Sequence, residues 1–206
     1  MIPLFSTAYF PPVAYMATLM KYPEVQIEAK ETFPKQTYRN RMEIMTASGI
    51  KALSVPVIKN NHSRTEEVVI DYKERWNIIH LRTIEAAYAA SPYYEYYKDD
   101  IESILTPHYS LLLELNEAIL NWVLKRIKIT TIFQSTTDFL PAATDNCLDF
   151  RNRFTPKKPF CTSDFKPYYQ VFNDRQPFAA NISVLDLMMN IGPEAKNYLE
   201  NTTISS

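Results

Sequence analysis

The first seventy residues alternate apolar and polar positions over short runs separated by turn-forming residues, which is the pattern of strands. Leu4–Phe10 reads as a strand that stops at Pro11-Pro12, because proline donates nothing to a ladder and restricts the residue before it. Val13–Lys21 follows as an apolar helical stretch with Pro23 just beyond its end. Val25–Ala29 predicts a second strand, Lys30–Thr37 a loop, and Tyr38–Thr46 a third strand. Gly49 marks a turn, and Lys51–Ile58 predicts a fourth strand with Leu53, Val55 and Val57 on one face. Val68–Tyr72 completes this strand-rich half.

After Trp76 the period becomes helical. Ile79, Ile84, Ala87 and Tyr88 recur at helical spacing up to Ser91-Pro92, and Tyr93–Leu105 gives a further helix in which Tyr93 and Tyr97 are expected to pack. Ser110–Ile127 carries the stripe Leu112, Leu115, Ile119, Trp122 and Val123. Ile129–Phe133 is a β-branched segment that reads as a strand. Asp145–Pro167 is polar and aperiodic, so a long loop is expected there. Ser183–Met189 predicts a last helix ending at Gly192-Pro193, with Asn181 or Ser183 as its cap, followed by a turn over Glu194–Leu199. The pattern predicts an α+β protein, a single domain over 1–206, with a strand-rich N-terminal half followed by a mainly helical C-terminal half.

Composition narrows the function classes. The 206-residue chain has a net charge of −1, which argues against a broadly basic nucleic-acid binder. It has no apolar run long enough to span a membrane, and the start Met1–Thr7 lacks the features of a signal peptide. Cys147 and Cys161 match no zinc or redox spacing, and no metal motif occurs, so a cytoplasmic protein without metal or cofactor is expected. Only two glycines are present, Gly49 and Gly192, which excludes glycine-rich phosphate loops. With 14 tyrosines and 11 phenylalanines, a phosphate or sugar ligand is expected to be gripped by side chains and aromatic faces.

Lys35, Arg39 and Arg41 place three cations within seven residues. On a strand over 38–46, Arg39 and Arg41 share a face, with Tyr38 and Asn40 on the other, and two guanidinium forks suit a phosphate or carboxylate. A solvated edge strand kept soluble by its charges is the competing reading. His80, one turn after Trp76 and near Glu85, is a candidate general base, set against a core histidine satisfied by a backbone carbonyl. His62 and His108 read as surface residues. Tyr9, Tyr15 and Trp76 are candidates to stack on a base or sugar, or simply to cap a core. Asp71 and Asp186 end predicted elements; Asp186 lies in an apolar stretch and needs a partner, for which an arginine of the basic cluster is one candidate, and a structural helix-to-strand tie is set against a catalytic role.

Taken together, several collinear pieces resemble the WbqC-like family. They are Tyr9-Phe10-Pro11-Pro12-Val13-Ala14-Tyr15, Lys35-Gln36-Thr37-Tyr38-Arg39-Asn40-Arg41, Leu53-Ser54-Val55-Pro56-Val57, Val69-Ile70-Asp71-Tyr72, Trp76…His80…Ile84…Tyr88…Ser91-Pro92 and Ile182–Asn190. The chain departs from the common pattern: Ala8 and Ala14 stand where many members carry glutamine and glycine, and only Glu28 and Glu31 remain near the place of an acidic pair. The resemblance implies a transferase of bacterial surface-polysaccharide (O-antigen type) biosynthesis, passing an aminoacyl (glycine) or acyl group to an amino-sugar on a nucleotide or lipid carrier. The expected partner is thus a phosphorylated or nucleotide-linked sugar, with Lys35, Arg39 and Arg41 on its phosphates and His80 as base. A non-catalytic binding or scaffold protein of the polysaccharide assembly machinery is the alternative, and a homo-oligomer is left open.

Overall fold

The structure is a computed structural model that describes residues 1–34, 36–60, 62–141, 147–157, 160 and 164–204. The fold is α+β. Among the described residues, β1 (Ile2–Ser6), β2 (Glu24–Glu28), β3 (Arg41–Thr46), β4 (Gly49–Ser54), β5 (Val57–Ile58) and β6 (Val69–Ile70) precede Asp71, interrupted by one α-helix, α1 (Val13–Leu19), and a 3-10 turn over Thr65–Glu67. Helices α2 (Trp76–Tyr88), α3 (Tyr94–Leu105) and α4 (Leu112–Ile127) come next. Two short strands, β7 (Ile132–Ser135) and β8 (Cys147–Asp149), then lead to α5 (Val184–Ile191) and α6 (Ala195–Glu200).

The central sheet has the order β7-β2-β1-β8, and every pairing in it is parallel. Parallel strands are buried on both faces, which is why Leu4, Phe5, Val25 and Ile27 are almost wholly covered. The β1-to-β2 crossover is α1, and each of its seven residues is buried. The chain after β8 lays Phe150 and Phe154 against Phe5, with ring centroids 4.9 and 6.0 Å apart, in one cluster with Tyr15 of α1. A β3–β4 hairpin turns at Gly49, whose φ of 104° suits glycine.

Most expected elements form where the pattern placed them, and three differences have physical causes. β1 ends at Ser6, because the Tyr9 N–H turns to the Tyr38 carbonyl (2.8 Å) and Phe10 adopts φ 42°. The fourth strand divides at Pro56 into β4 and β5. Within the expected 145–167 loop, Cys147–Asp149 forms β8, the edge strand beside β1, while Cys161 lies outside the described residues. The stripe of α4 is buried as expected, whereas Ile79 on α2 faces outward at 52% exposure. The Ser183 hydroxyl caps α5 by accepting the Leu185 N–H at 3.2 Å. No helix among the described residues is long and apolar enough to cross a membrane.

Candidate functional site

All four strands of the parallel sheet end on one edge, where the register sets Ser6 beside Glu28, Leu4 beside Asp149 and Ile27 beside Ser135. Charged groups gather at and just beyond these ends. Glu28 closes β2 with a fully buried carboxylate. Such a group is tolerated only where donors replace water. Its Oε1 accepts the Lys30 N–H (2.9 Å) and the Thr136 hydroxyl (2.8 Å), and its Oε2 accepts Arg151 Nη1 (3.0 Å) and the Leu140 N–H (3.3 Å). Arg151 follows β8 and is 4% exposed. Its Nε and Nη2 fork onto Asp149 at 2.9 and 2.6 Å, which holds the Asp149 carboxyl below its ordinary range.

A second fork stands beside the first. Arg39, 2% exposed, donates from Nε and Nη2 to the two Glu31 oxygens at 2.7 and 2.8 Å, and Nη2 also reaches the Arg151 carbonyl at 3.4 Å. A guanidinium has five N–H donors. Those of Nε and Nη2 are engaged, and those of Nη1 meet no described residue. Asn116 of α4 clamps this region: its Nδ2 donates to the Thr7 hydroxyl (3.1 Å) and the Arg39 carbonyl (2.7 Å). Phe10 (φ 42°) and Gln36 (φ 56°) hold left-handed conformations in the loops that leave β1 and β2, a strain that tends to collect at functional sites.

The edge also coincides with a change of direction in the chain. From β1 the chain moves through α1 to β2 on one side, and much later it arrives at β8 on the other. The β1/β8 boundary is therefore a topological switch point, and open parallel sheets bind ligands outside the carboxyl ends of their strands at such a point.

The structure separates the residues expected from the sequence. Lys35 lies outside the described residues. Arg39 and Arg41 do not share a strand face, because β3 begins only at Arg41; the carbonyls of Tyr38 and Arg39 are taken by Tyr9 and Asn116 instead of a strand. Arg41 turns to Glu43 at 2.7 Å, and its buried Nε has no partner. Asn40 ties the end of the hairpin through its Nδ2 to the Val55 carbonyl (2.9 Å). Tyr38 donates to Glu43 at 3.3 Å.

His80 is 3% exposed; its Nδ1 meets the Tyr9 hydroxyl at 2.8 Å, and the Ser54 carbonyl faces the ring. Burial pushes its pKa down to about 4, so the ring is neutral. Glu85 is exposed on α2 and makes no bond to it. This is the geometry of a satisfied core histidine. Tyr9, Tyr15 and Trp76 face the core as well: Tyr15 donates to the Ser6 carbonyl (2.9 Å), and Trp76 packs edge-on against Tyr9 and His80. None of the three rings is open to a ligand.

Asp71 caps the Lys73 N–H at 2.9 Å in a turn. Asp186 is fully buried, but no arginine answers it; Tyr88 (2.9 Å), Tyr168 (2.7 Å) and Gln170 (2.8 Å) donate to its oxygens, and burial raises its pKa. His62 and His108 are exposed, as expected. Cys147 sits on β8 with its thiol pushed up by burial, which keeps it protonated and unreactive.

Glu28, Asp149, Arg151, Thr136 and Asn116 were not singled out as site residues by the sequence. The one local signal was Glu28 itself, an acid placed directly after the apolar positions Val25 and Ile27.

The model of the WbqC-like protein family matches residues 7–155, a span that contains both arginine forks and their carboxylates. The Uncharacterized protein Rv1507c of Mycobacterium tuberculosis (strain ATCC 25618 / H37Rv) is 26% identical over 220 residues, covering 93% of this chain and 91% of its own length. No solved structure matches the chain. With most of its length matched by one family model, the chain belongs to the WbqC-like protein family.

Proposed function

We propose that this chain is a transferase of bacterial surface-polysaccharide biosynthesis, acting on a phosphorylated or nucleotide-linked amino-sugar at the carboxyl edge of its parallel sheet. The sugar amine attacks the carbonyl of an activated aminoacyl or acyl donor, the bond to the donor's leaving group breaks, and the amine's proton departs with that group. The observation that carries the reading is the pair of buried arginine forks at the switch point, Arg39 on Glu31 and Arg151 on Asp149 and Glu28. The forks fix two guanidinium groups, and Arg39 Nη1 keeps its donors for an anion.

A binding or scaffold role is the second reading, and a specific observation favours it. Glu28 already accepts four donors, and His80 is neutral and enclosed, so neither is a ready base. A thermal-shift screen of the full chain against nucleotide-sugars, coenzyme A thioesters and aminoacyl donors separates the two. The transferase reading expects both a sugar nucleotide and a donor to raise Tm, and turnover when they are mixed. Stabilisation by one ligand without turnover favours the binding role, and no stabilisation by any of them overturns the transferase.

A further inference from the structure

A cavity lies well away from the carboxyl edge. α4 runs from Asn116, at that edge, to Ile127, which lines the cavity. Eleven residues of helix separate them, about 16 Å at 1.5 Å per residue. The cavity has a volume of about 310 Å³, within the range of small-molecule sites. Tyr93, Tyr96 and Tyr97 line it together with Arg126, Lys128 and Lys196, three aromatic rings and three cations around one space.

These groups are held in place. Tyr97 is buried and meets Tyr96 edge-on at 4.9 Å, while Tyr96 remains 64% exposed. The Tyr93 ring rests on Gly192, where an added Cβ would sit 2.4 Å from it. Arg126 donates to Asp100 at 2.7 Å and lies over the Tyr96 ring at 5.6 Å, and its buried Nε has no partner. Lys196 reaches Glu200 only at 3.9 Å. Lys128 makes no ion pair with a described residue and holds φ 60° at the C-terminus of α4, a position where glycine is the usual occupant. No carboxylate among the described residues lines the cavity.

We infer that this cavity binds a nucleoside diphosphate, the base lying against Tyr96 and Tyr93 and the phosphates against Lys128, Lys196 and Arg126. Aromatic rings and cations lining one cavity call for a ligand with a planar apolar part and an anionic part. Every base has a face to stack, so the tyrosines select a nucleotide without selecting the base. The site is independent of the proposed transferase centre and fits a resident or regulatory nucleotide as readily as the carrier of a sugar.

The test is calorimetric titration of the full chain with uridine diphosphate and adenosine diphosphate, with uridine and inorganic pyrophosphate as separate arms. At least one diphosphate is expected to bind, with uridine and pyrophosphate each weaker by about tenfold or more. Lys128→Gly and Tyr96→Ala are expected to weaken binding by a similar factor, with melting curves confirming that both variants fold. Lys128→Gly is the safer probe of the two, because glycine is at ease in the left-handed backbone that lysine occupies. Pyrophosphate binding as tightly as the nucleotide, or the absence of diphosphate binding, overturns the inference. Binding that survives both substitutions at full strength places the nucleotide elsewhere, which also overturns it but leaves the transferase reading standing.

Discussion

Arg39 and Glu31 meet as a two-pronged pair, Nε to Oε1 at 2.7 Å and Nη2 to Oε2 at 2.8 Å, with the guanidinium almost wholly withdrawn from water. Removing one partner leaves a buried charge with nothing to answer it. Glu31→Gln is therefore expected to lower the unfolding free energy by about 3 kcal/mol, typical of a broken buried pair. The double change Arg39→Met with Glu31→Leu is expected to recover most of that loss while abolishing ligand binding at the carboxyl edge. Denaturant midpoints of the three proteins check this. Equal stability of Glu31→Gln and the parent would mean that the fork is solvated and of little consequence.

His80 sets a pH dependence whose direction follows from its burial. Its folded pKa is pushed down to about 4, against an ordinary value near 6.5 in the unfolded chain. The unfolded state therefore takes up the proton first, and the stabilisation from a neutral His80 is complete above pH 6.5 and lost as pH falls toward 4. By pH 4.5 the loss is about 2.5 kcal/mol. His80→Gln removes this component, so the parent should lose more stability than the variant between pH 7 and 4.5 in guanidinium titrations. Parallel curves for the two proteins would refute the assignment.

Asp186 is an acceptor hub made by three neutral donors. Tyr88, Tyr168 and Gln170 all point hydrogens at one buried carboxylate. In Asp186→Asn an amide NH2 replaces one oxygen and sets donor against donor, at a cost of about 2 kcal/mol. Tyr168→Phe deletes one donor and leaves the others, and about 1 kcal/mol is expected. The order of the two losses, read from urea midpoints, is the check. A Tyr168→Phe variant less stable than Asp186→Asn would show that tyrosine packing matters more than the carboxylate.

The sequence made the helices and the N-terminal strands legible because their apolar residues recur at a fixed period. α4 is the clearest case, with Leu112, Leu115, Ile119, Trp122 and Val123 all buried. β8 was not legible: it is three residues long, shows no alternation, and its partner β1 lies over 140 positions earlier. Without β8 the candidate site is not legible either, since Arg151 acquires its meaning only when the sheet carries it to Glu28, 123 positions away. The basic cluster is legible as charge and not as geometry. Arg39 does reach the carboxyl edge, but as an inward residue of a turn, and Arg41 goes elsewhere. Asp186 was recognised as needing a partner, yet nothing local indicates tyrosines and a glutamine instead of an arginine.

Two positive-φ positions beside the tyrosine-lined cavity should respond to substitution in opposite directions. Lys128 at φ 60° bears a side chain where the left-handed backbone crowds Cβ against the following carbonyl, a cost of about 1 kcal/mol. Lys128→Gly relieves it and is expected to raise stability by about that amount, less whatever the helix dipole gains from the cation. Gly192 at φ 52° is the reverse case. Gly192→Ala adds both the backbone strain and a Cβ 2.4 Å from the Tyr93 ring, which must then move. A loss of about 2 kcal/mol is expected, within the usual range for overpacking. Differential scanning calorimetry should show Tm rising for Lys128→Gly and falling for Gly192→Ala. If Lys128→Gly melts lower instead, the lysine side chain contributes more to the fold than its backbone strain costs, and the case that it is held there for a ligand loses its energetic support.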